Sequence, residues 1–220
     1  MRISILTLFP EMFTGFIGES IIKRAIDKGI VNIDIVNIRD FSKLNNNQVD
    51  DTPYGGGAGM VMMVDVVVDA INSVKTENSK VILMTPAGKT YNQSMAKELK
   101  TFGHLIIVCG HYEGIDERIL NYVDYEVSIG DYILTGGELA SMVVSDSIIR
   151  LLDGVIKQES YEEESFSNNL LDYPVYTKPR VYDGYEVPEV LLNGNHKLIE
   201  EWRKNAQIEK TRERRPDLLD

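Results

Sequence analysis

The sequence predicts an α/β fold built on a mainly parallel sheet, with a small helical domain at the C-terminal end. Three observations carry this. Short apolar runs alternate with helical patterns from Ile3 to Leu152, the rhythm of βαβ units. Glycine-bearing turns follow three successive late strands, at 86–88, 110–114 and 130–137, and open α/β sheets bind ligands beyond the carboxyl ends of their strands. After residue 156 the composition shifts to an acidic stretch, a Pro- and Tyr-rich segment and a basic helix.

The elements follow in order. Ile3 to Leu8 is an apolar run, read as a buried strand that Pro10 ends. From Glu11 to Lys28, Phe13, Ile17, Ile21 and Ala25 recur at helical spacing, and Gly29 stops the helix. Val31, Ile33 and Ile35 alternate with polar residues as a strand does. Residues 40–60 form a long polar connection ending in Gly55-Gly56-Gly57-Ala58-Gly59. That run serves as a glycine hinge or as an anion-binding nest. It lacks the Lys-Ser/Thr ending of a nucleotide loop, so ATP or GTP is not expected. Val64 to Val74 reads as a buried helix, Lys80 to Thr85 as a strand, and Asn92 to Lys100 as a helix. Leu105 to Cys109 is a strand, Ile115 to Tyr122 a helix, and Val123 to Ile129 a strand. Thr135 opens a helix running to about Leu152, and Thr135 and Glu138 have capping-box spacing. A last helix covers about His196 to Ile208.

Composition narrows the function. The chain has 220 residues and is 43% hydrophobic, enough for a buried core. No apolar run reaches bilayer length, and the N-terminus lacks a signal-peptide pattern, so no membrane association is expected. One cysteine, Cys109, makes no internal disulfide and favours a reducing, cytoplasmic setting. Its apolar neighbours mark it as a core residue rather than a nucleophile. The net charge of −11 argues against nonspecific nucleic-acid binding, although a local basic patch can sit on an acidic protein. Lys197 to Arg215 holds seven Lys or Arg against four Glu. A solvated helix face accounts for that as well as an RNA contact does.

No His-x-x-x-His, Cys-x-x-Cys or Gly-x-Ser-x-Gly pattern is present, so structural zinc and a hydrolase triad are not expected. Leu8-Phe9-Pro10-Glu11 stands where a dinucleotide fold carries its glycines. What remains is a group of backbone-exposing turns lined by Tyr112, Glu113, Asp131, Tyr132 and Leu134. They suit a ligand with a flat ring, a ribose and a charged tail. Locally, an ordinary tight connection explains each turn equally well.

Several stretches closely resemble the bacterial tRNA (guanine-N1)-methyltransferases of the knotted SPOUT class. They are Asp51-Thr52-Pro53-Tyr54-Gly55-Gly56-Gly57-Ala58-Gly59-Met60, Gly110-His111-Tyr112-Glu113-Gly114-Ile115-Asp116-Glu117-Arg118 and Ile129-Gly130-Asp131-Tyr132-Ile133-Leu134-Thr135-Gly136-Gly137-Glu138-Leu139. Tyr176-Thr177-Lys178-Pro179, Val190 to His196 and Arg214-Arg215-Pro216-Asp217-Leu218-Leu219 follow in the family's order.

The resemblance implies methyl transfer from S-adenosylmethionine to N1 of the guanine immediately 3′ of the anticodon in tRNA. It implies a deep trefoil knot in an α/β domain over 1–156, an interdomain linker over 157–172 and a tRNA-binding helical domain over 173–220. By position, the methyl donor is held by Pro86, Gly110, Tyr112, Glu113, Ile129, Gly130, Asp131, Tyr132, Ile133, Leu134, Gly136 and Gly137. A homodimer sharing each active site is implied, as is a magnesium requirement, although the sequence shows no dedicated metal cage.

Guanine N1 carries a proton at neutral pH, so the chemistry needs a general base and stabilisation of charge developing on O6. Arg150 matches the family's catalytic arginine. Glu164, before Ser165-Phe166, stands where the family has its aspartate base, and Asp172 is the alternative. Ala140 replaces a common proline, and His111 stands where some members have arginine. Two other functions fit less of the pattern: a knotted ribose 2′-O-methyltransferase and a non-catalytic RNA- or nucleotide-binding module.

Overall fold

A computed structural model describes residues 1–157, 164–166 and 168–219. Its two compact units are Met1–Ile156 and Lys157–Asp220. Apart from Glu164, the acidic run of the expected linker lies outside the described residues.

In the first unit, a five-stranded sheet runs in the order β2–β1–β6–β5–β7 with every pair parallel. The strands are β1 (Arg2–Thr7), β2 (Asn32–Asn37), β5 (Ser79–Thr90), β6 (His104–Cys109) and β7 (Tyr125–Ser128). Two short strands, β3 (Asp50–Asp51) and β4 (Val61–Met62), pair separately as an antiparallel ribbon. All six residues of β6 are buried, as a central parallel strand covered on both faces requires. Side chains alternate across the pleat. Ile106 and Val108 join the cluster under α3 (Val64–Val74) with Val66, Val67, Ala70 and Ile71. Burial holds α3 helical despite its β-branched run. The remaining helices of this unit are α1 (Thr14–Gly18), α2 (Ser20–Asp27), α4 (Gln93–Leu99) and α5 (Glu138–Ile149). The Asn92 side chain caps α4 by accepting from the Met95 amide at 3.0 Å.

Three expected helices differ. The span 11–28 breaks into a 3₁₀ turn, α1 and α2, with Glu19 extended and Ser20 at φ 55°. Two glycines, Gly15 and Gly18, weaken the helix there. Residues 115–122 form a 3₁₀ turn from Glu117 to Tyr122, because Ile115 is drawn into a bridge with Met62 and Asp116 caps the Arg118 amide. The capping box at Thr135 does not form. Helix α5 starts at Glu138 without a side-chain cap, and the Glu138 carboxylate is used elsewhere.

His104 and Ser4 meet beneath the amino-terminal side of the sheet, with His104 Nε2 3.0 Å from Ser4 Oγ. Ser4 is fully buried, so this resembles a nucleophile–base pair without access to substrate. Burial and the Arg2 guanidinium hold the His104 imidazole below its ordinary range, with Asp34 opposing. The unfolded chain therefore takes up this proton before the folded one does. The stabilising contribution is complete above the ordinary value of ~6.5 and is lost as pH falls through the folded value. The thermal midpoint is expected to drop on acidification below ~6.5, with His104→Gln flattening that drop. Superimposable pH profiles of the two proteins would contradict this.

In the second unit, α6 (His196–Arg214) runs on to Arg214, past its expected end near Ile208. Thr211, fully buried, bonds the Gln207 carbonyl and the Leu171 amide. A small hairpin pairs β8 (Val181–Tyr182) with β9 (Tyr185–Glu186). Asp183 and Gly184 turn it at φ 50° and 81°, the left-handed pair that a two-residue hairpin favours. Among the described residues, no helix is long and apolar enough to cross a membrane.

Candidate active site

A cleft of about 450 Å³ opens at the carboxyl ends of β5, β6 and β7, within the ~300–1,000 Å³ range of small-molecule sites. Its walls are an irregular stretch within β5 and the turns that follow β6 and β7; the turn expected at 86–88 lies inside β5, which resumes its pairing with β7 at Lys89 and runs on to Thr90. The β5–β7 pairing breaks register between Met84 and Lys89, which pushes Thr85, Pro86 and Ala87 into one wall. The turn after β6 supplies Gly110 to Ile115, and the stretch after β7 supplies Ile129, Gly130 and Tyr132 to Gly137.

Two of these turns are locked together by backbone. The Gly137 amide donates to the Gly110 carbonyl at 3.0 Å. A Cβ on Gly137 would lie 2.7 Å from Cys109 Cα, so only glycine lets the start of α5 approach β6 this closely. Cys109 itself is fully buried, and burial pushes its thiol well above the ordinary range. It is a core residue, not a nucleophile.

The long 40–62 connection does not line the cleft; it braces it. The Glu113 amide donates to the Met60 carbonyl at 3.0 Å and the Met62 amide to the Gly114 carbonyl at 2.9 Å. The glycine run Gly55–Gly59, read as a hinge or a nest, stands outside the wall. Tyr112 is held at φ 60° within this braced turn and is half-exposed to the cleft. A non-glycine residue in that conformation stores strain, and such strain collects at ligand sites.

Of the residues expected to hold a donor, Pro86, Gly110, Tyr112, Glu113, Ile129, Gly130, Tyr132, Ile133, Leu134, Gly136 and Gly137 line this one cleft. Asp131 lies in the same turn with an exposed side chain and is not part of the wall. Arg150 caps the far end of α5, its amide bonded to the Asp146 carbonyl at 3.0 Å. A 12-residue helix spans ~18 Å, so the first unit by itself does not bring Arg150 to the cleft. Glu164 is half-buried in the second unit. The Asp172 amide is held by Ser165 Oγ at 2.9 Å, its carbonyl accepts from Lys210 Nζ at 2.9 Å, and its own Oδ1 accepts from the Tyr173 amide at 2.7 Å. Those bonds make it part of a structural turn.

Sequence reasoning missed a buried polar chain at the foot of the cleft. Glu138 Oε2 lies 2.7 Å from His111 Nε2, and Thr7 Oγ1 donates to Glu138 Oε1 at 2.6 Å. The Glu138 side chain is 1% exposed. Its partners lie 27 and 131 positions away, beyond the reach of any local pattern.

The sequence model of the family described as tRNA (Guanine-1)-methyltransferase TrmD matches residues 1–220. A tRNA (guanine-N(1)-)-methyltransferase of Malacoplasma penetrans is 63% identical over 219 residues, covering 100% of this chain and 97% of the relative. Proteins of the same name from Mycoplasma capricolum subsp. capricolum and Clostridium botulinum (strain Kyoto / Type A2) are 59% and 57% identical. Each match covers 100% of this chain and 92% of the relative. With the match running through every wall of the cleft and on to the C-terminal helix, this chain belongs to the tRNA (guanine-1)-methyltransferase family.

Proposed function

We propose that this chain transfers a methyl group from S-adenosylmethionine to N1 of the guanine immediately 3′ of the anticodon in tRNA. The observation that carries the reading is the convergence of eleven of the twelve expected donor-site residues on one cleft. The cleft fits such a donor: backbone at Gly110 and Gly136 is partly exposed along its wall, and Tyr132, Ile133 and Leu134 add apolar surface. When bound, S-adenosylmethionine supplies an electrophilic methyl group. The chain's own residues do the rest. Glu164 takes the N1 proton as the N1–methyl bond forms. Arg150 stabilises the negative charge on O6. The braced turns fix the geometry of approach. The magnesium requirement that the resemblance implies belongs to the same reading; among the described residues no three His, Cys, Asp or Glu side chains converge into a cage for it.

The reading includes the family's trefoil knot and a homodimer in which two subunits share each active site. Helix α5 supports the dimer. Ala140, Val144 and Ile148 bury one face, while Leu139 and Val143, one turn apart, are about half exposed on the other, with Asp146 following them. Two large apolar side chains exposed one turn apart are the kind of surface a second subunit covers. A light-scattering mass of a single chain would contradict it. The basic residues of α6 suit tRNA phosphates, and tRNA places the reaction in the cytoplasm.

The test is incorporation of labelled methyl into an unmodified tRNA transcript, with magnesium present. Label is expected with guanine 3′ of the anticodon and absent when adenine replaces it. Binding without incorporation would instead favour a non-catalytic RNA-binding module.

A further inference from the structure

We propose that His111 is a positioning residue of the cleft, setting the gap between the 110–114 turn and Gly136. The proposal rests on reading that cleft as the methyl-donor site. Three side chains from three elements form one chain of contacts. Thr7, at the end of β1, accepts from the Phe9 amide at 2.9 Å and donates to Glu138 at 2.6 Å. Glu138, the first residue of α5, meets His111 Nε2 at 2.7 Å through its other oxygen. A carboxylate offers only acceptors, so Nε2 is the donor of that bond.

The ring is confined on two further sides. The Phe9 ring meets it edge-on, with centroids 4.7 Å apart. Gly136 meets it on another side, so closely that a Cβ there would collide with Nε2. His111 also lines the cleft, and its amide is directed at Met62 Sδ at 3.3 Å. The imidazole is thus a spacer between the turn that follows β6 and the turn that opens α5.

Removing the ring leaves the buried Glu138 oxygen without its donor and takes away the stop against which Gly136 rests. Glutamine, which carries an N–H at about the reach of Nε2, preserves the bond to Glu138. The inference therefore makes the hydrogen bond, rather than the imidazole's charge, the decisive feature.

The test compares S-adenosylmethionine binding and steady-state kinetics of the full chain with those of His111→Ala and His111→Gln. The alanine variant is expected to bind the donor at least about tenfold more weakly, with the glutamine variant close to wild type. In the alanine variant the donor KM is expected to rise while kcat at saturating donor and the tRNA KM hold, a split that general loss of structure does not produce. If the alanine variant does not fold, His111→Asn, whose amide is too short to reach Glu138, takes its place with the same expectation. Wild-type donor affinity in the alanine or asparagine variant would overturn the inference, as would an equal loss in the glutamine variant. Wild-type protein that fails to bind S-adenosylmethionine would overturn the donor-site reading itself.

Discussion

Glu164→Gln is expected to lower kcat by about 10²- to 10⁴-fold while S-adenosylmethionine binding stays at the wild-type level. Guanine N1 is a poor nucleophile while it holds its proton, and a carboxylate beside it takes that proton as the methyl group is transferred. The amide keeps nearly the same shape but has no basic oxygen, so binding survives and proton transfer does not. Glu164 holds the family's base position just before Ser165-Phe166, and Asp172 is the alternative. Asp172 already holds the Tyr173 amide with its carboxylate, Lys210 with its carbonyl and Ser165 with its amide. An unchanged single-turnover rate in Glu164→Gln would remove Glu164 from the chemistry and move the role to Asp172, where Asp172→Asn tests it.

Gly137→Ala is expected to weaken S-adenosylmethionine binding by about 10- to 100-fold. The added Cβ would lie 2.7 Å from Cys109 Cα and 3.1 Å from the Gly110 nitrogen. Those are backbone atoms at the end of a fully buried strand, and they cannot yield as the tip of a flexible side chain does. The start of α5 must move instead. That stretches the Gly137–Gly110 bond and opens the angle between two walls of the cleft. Calorimetric titration measures the effect, and wild-type affinity in a folded variant would show that the close approach does not shape the site.

The sheet was legible in the sequence because its strands are short, apolar and separated by turn residues. β6 is the clearest: Leu105 to Cys109 has no polar residue, and the fold buries it whole. The cleft was legible as a group of turns, since Gly110 directly follows β6, Gly130 lies two residues after β7, and Gly136-Gly137 directly precede α5. The start of α5 was not. Thr135 and Glu138 have the spacing of a local cap, yet Glu138 finds Thr7 and His111, brought beside it only by the fold. The break at Ser20 was likewise hidden, because apolar spacing continues through it in register. The hairpin at 181–186 did carry a signal, the Asp183-Gly184 dipeptide, overshadowed by its Pro- and Tyr-rich surroundings. Roles for Arg150 and Glu164 came from family resemblance, because no periodicity or spacing marks a base or an oxyanion partner.

The central claim is tested most directly by locating the methyl group. Purified protein, methyl-labelled S-adenosylmethionine and an unmodified tRNA transcript with guanine 3′ of the anticodon are incubated with magnesium, and the RNA is digested to nucleosides for mass spectrometry. The result expected is N1-methylguanosine from that one position. Label recovered as a ribose 2′-O-methyl nucleoside, or a transcript left unlabelled, would contradict the account.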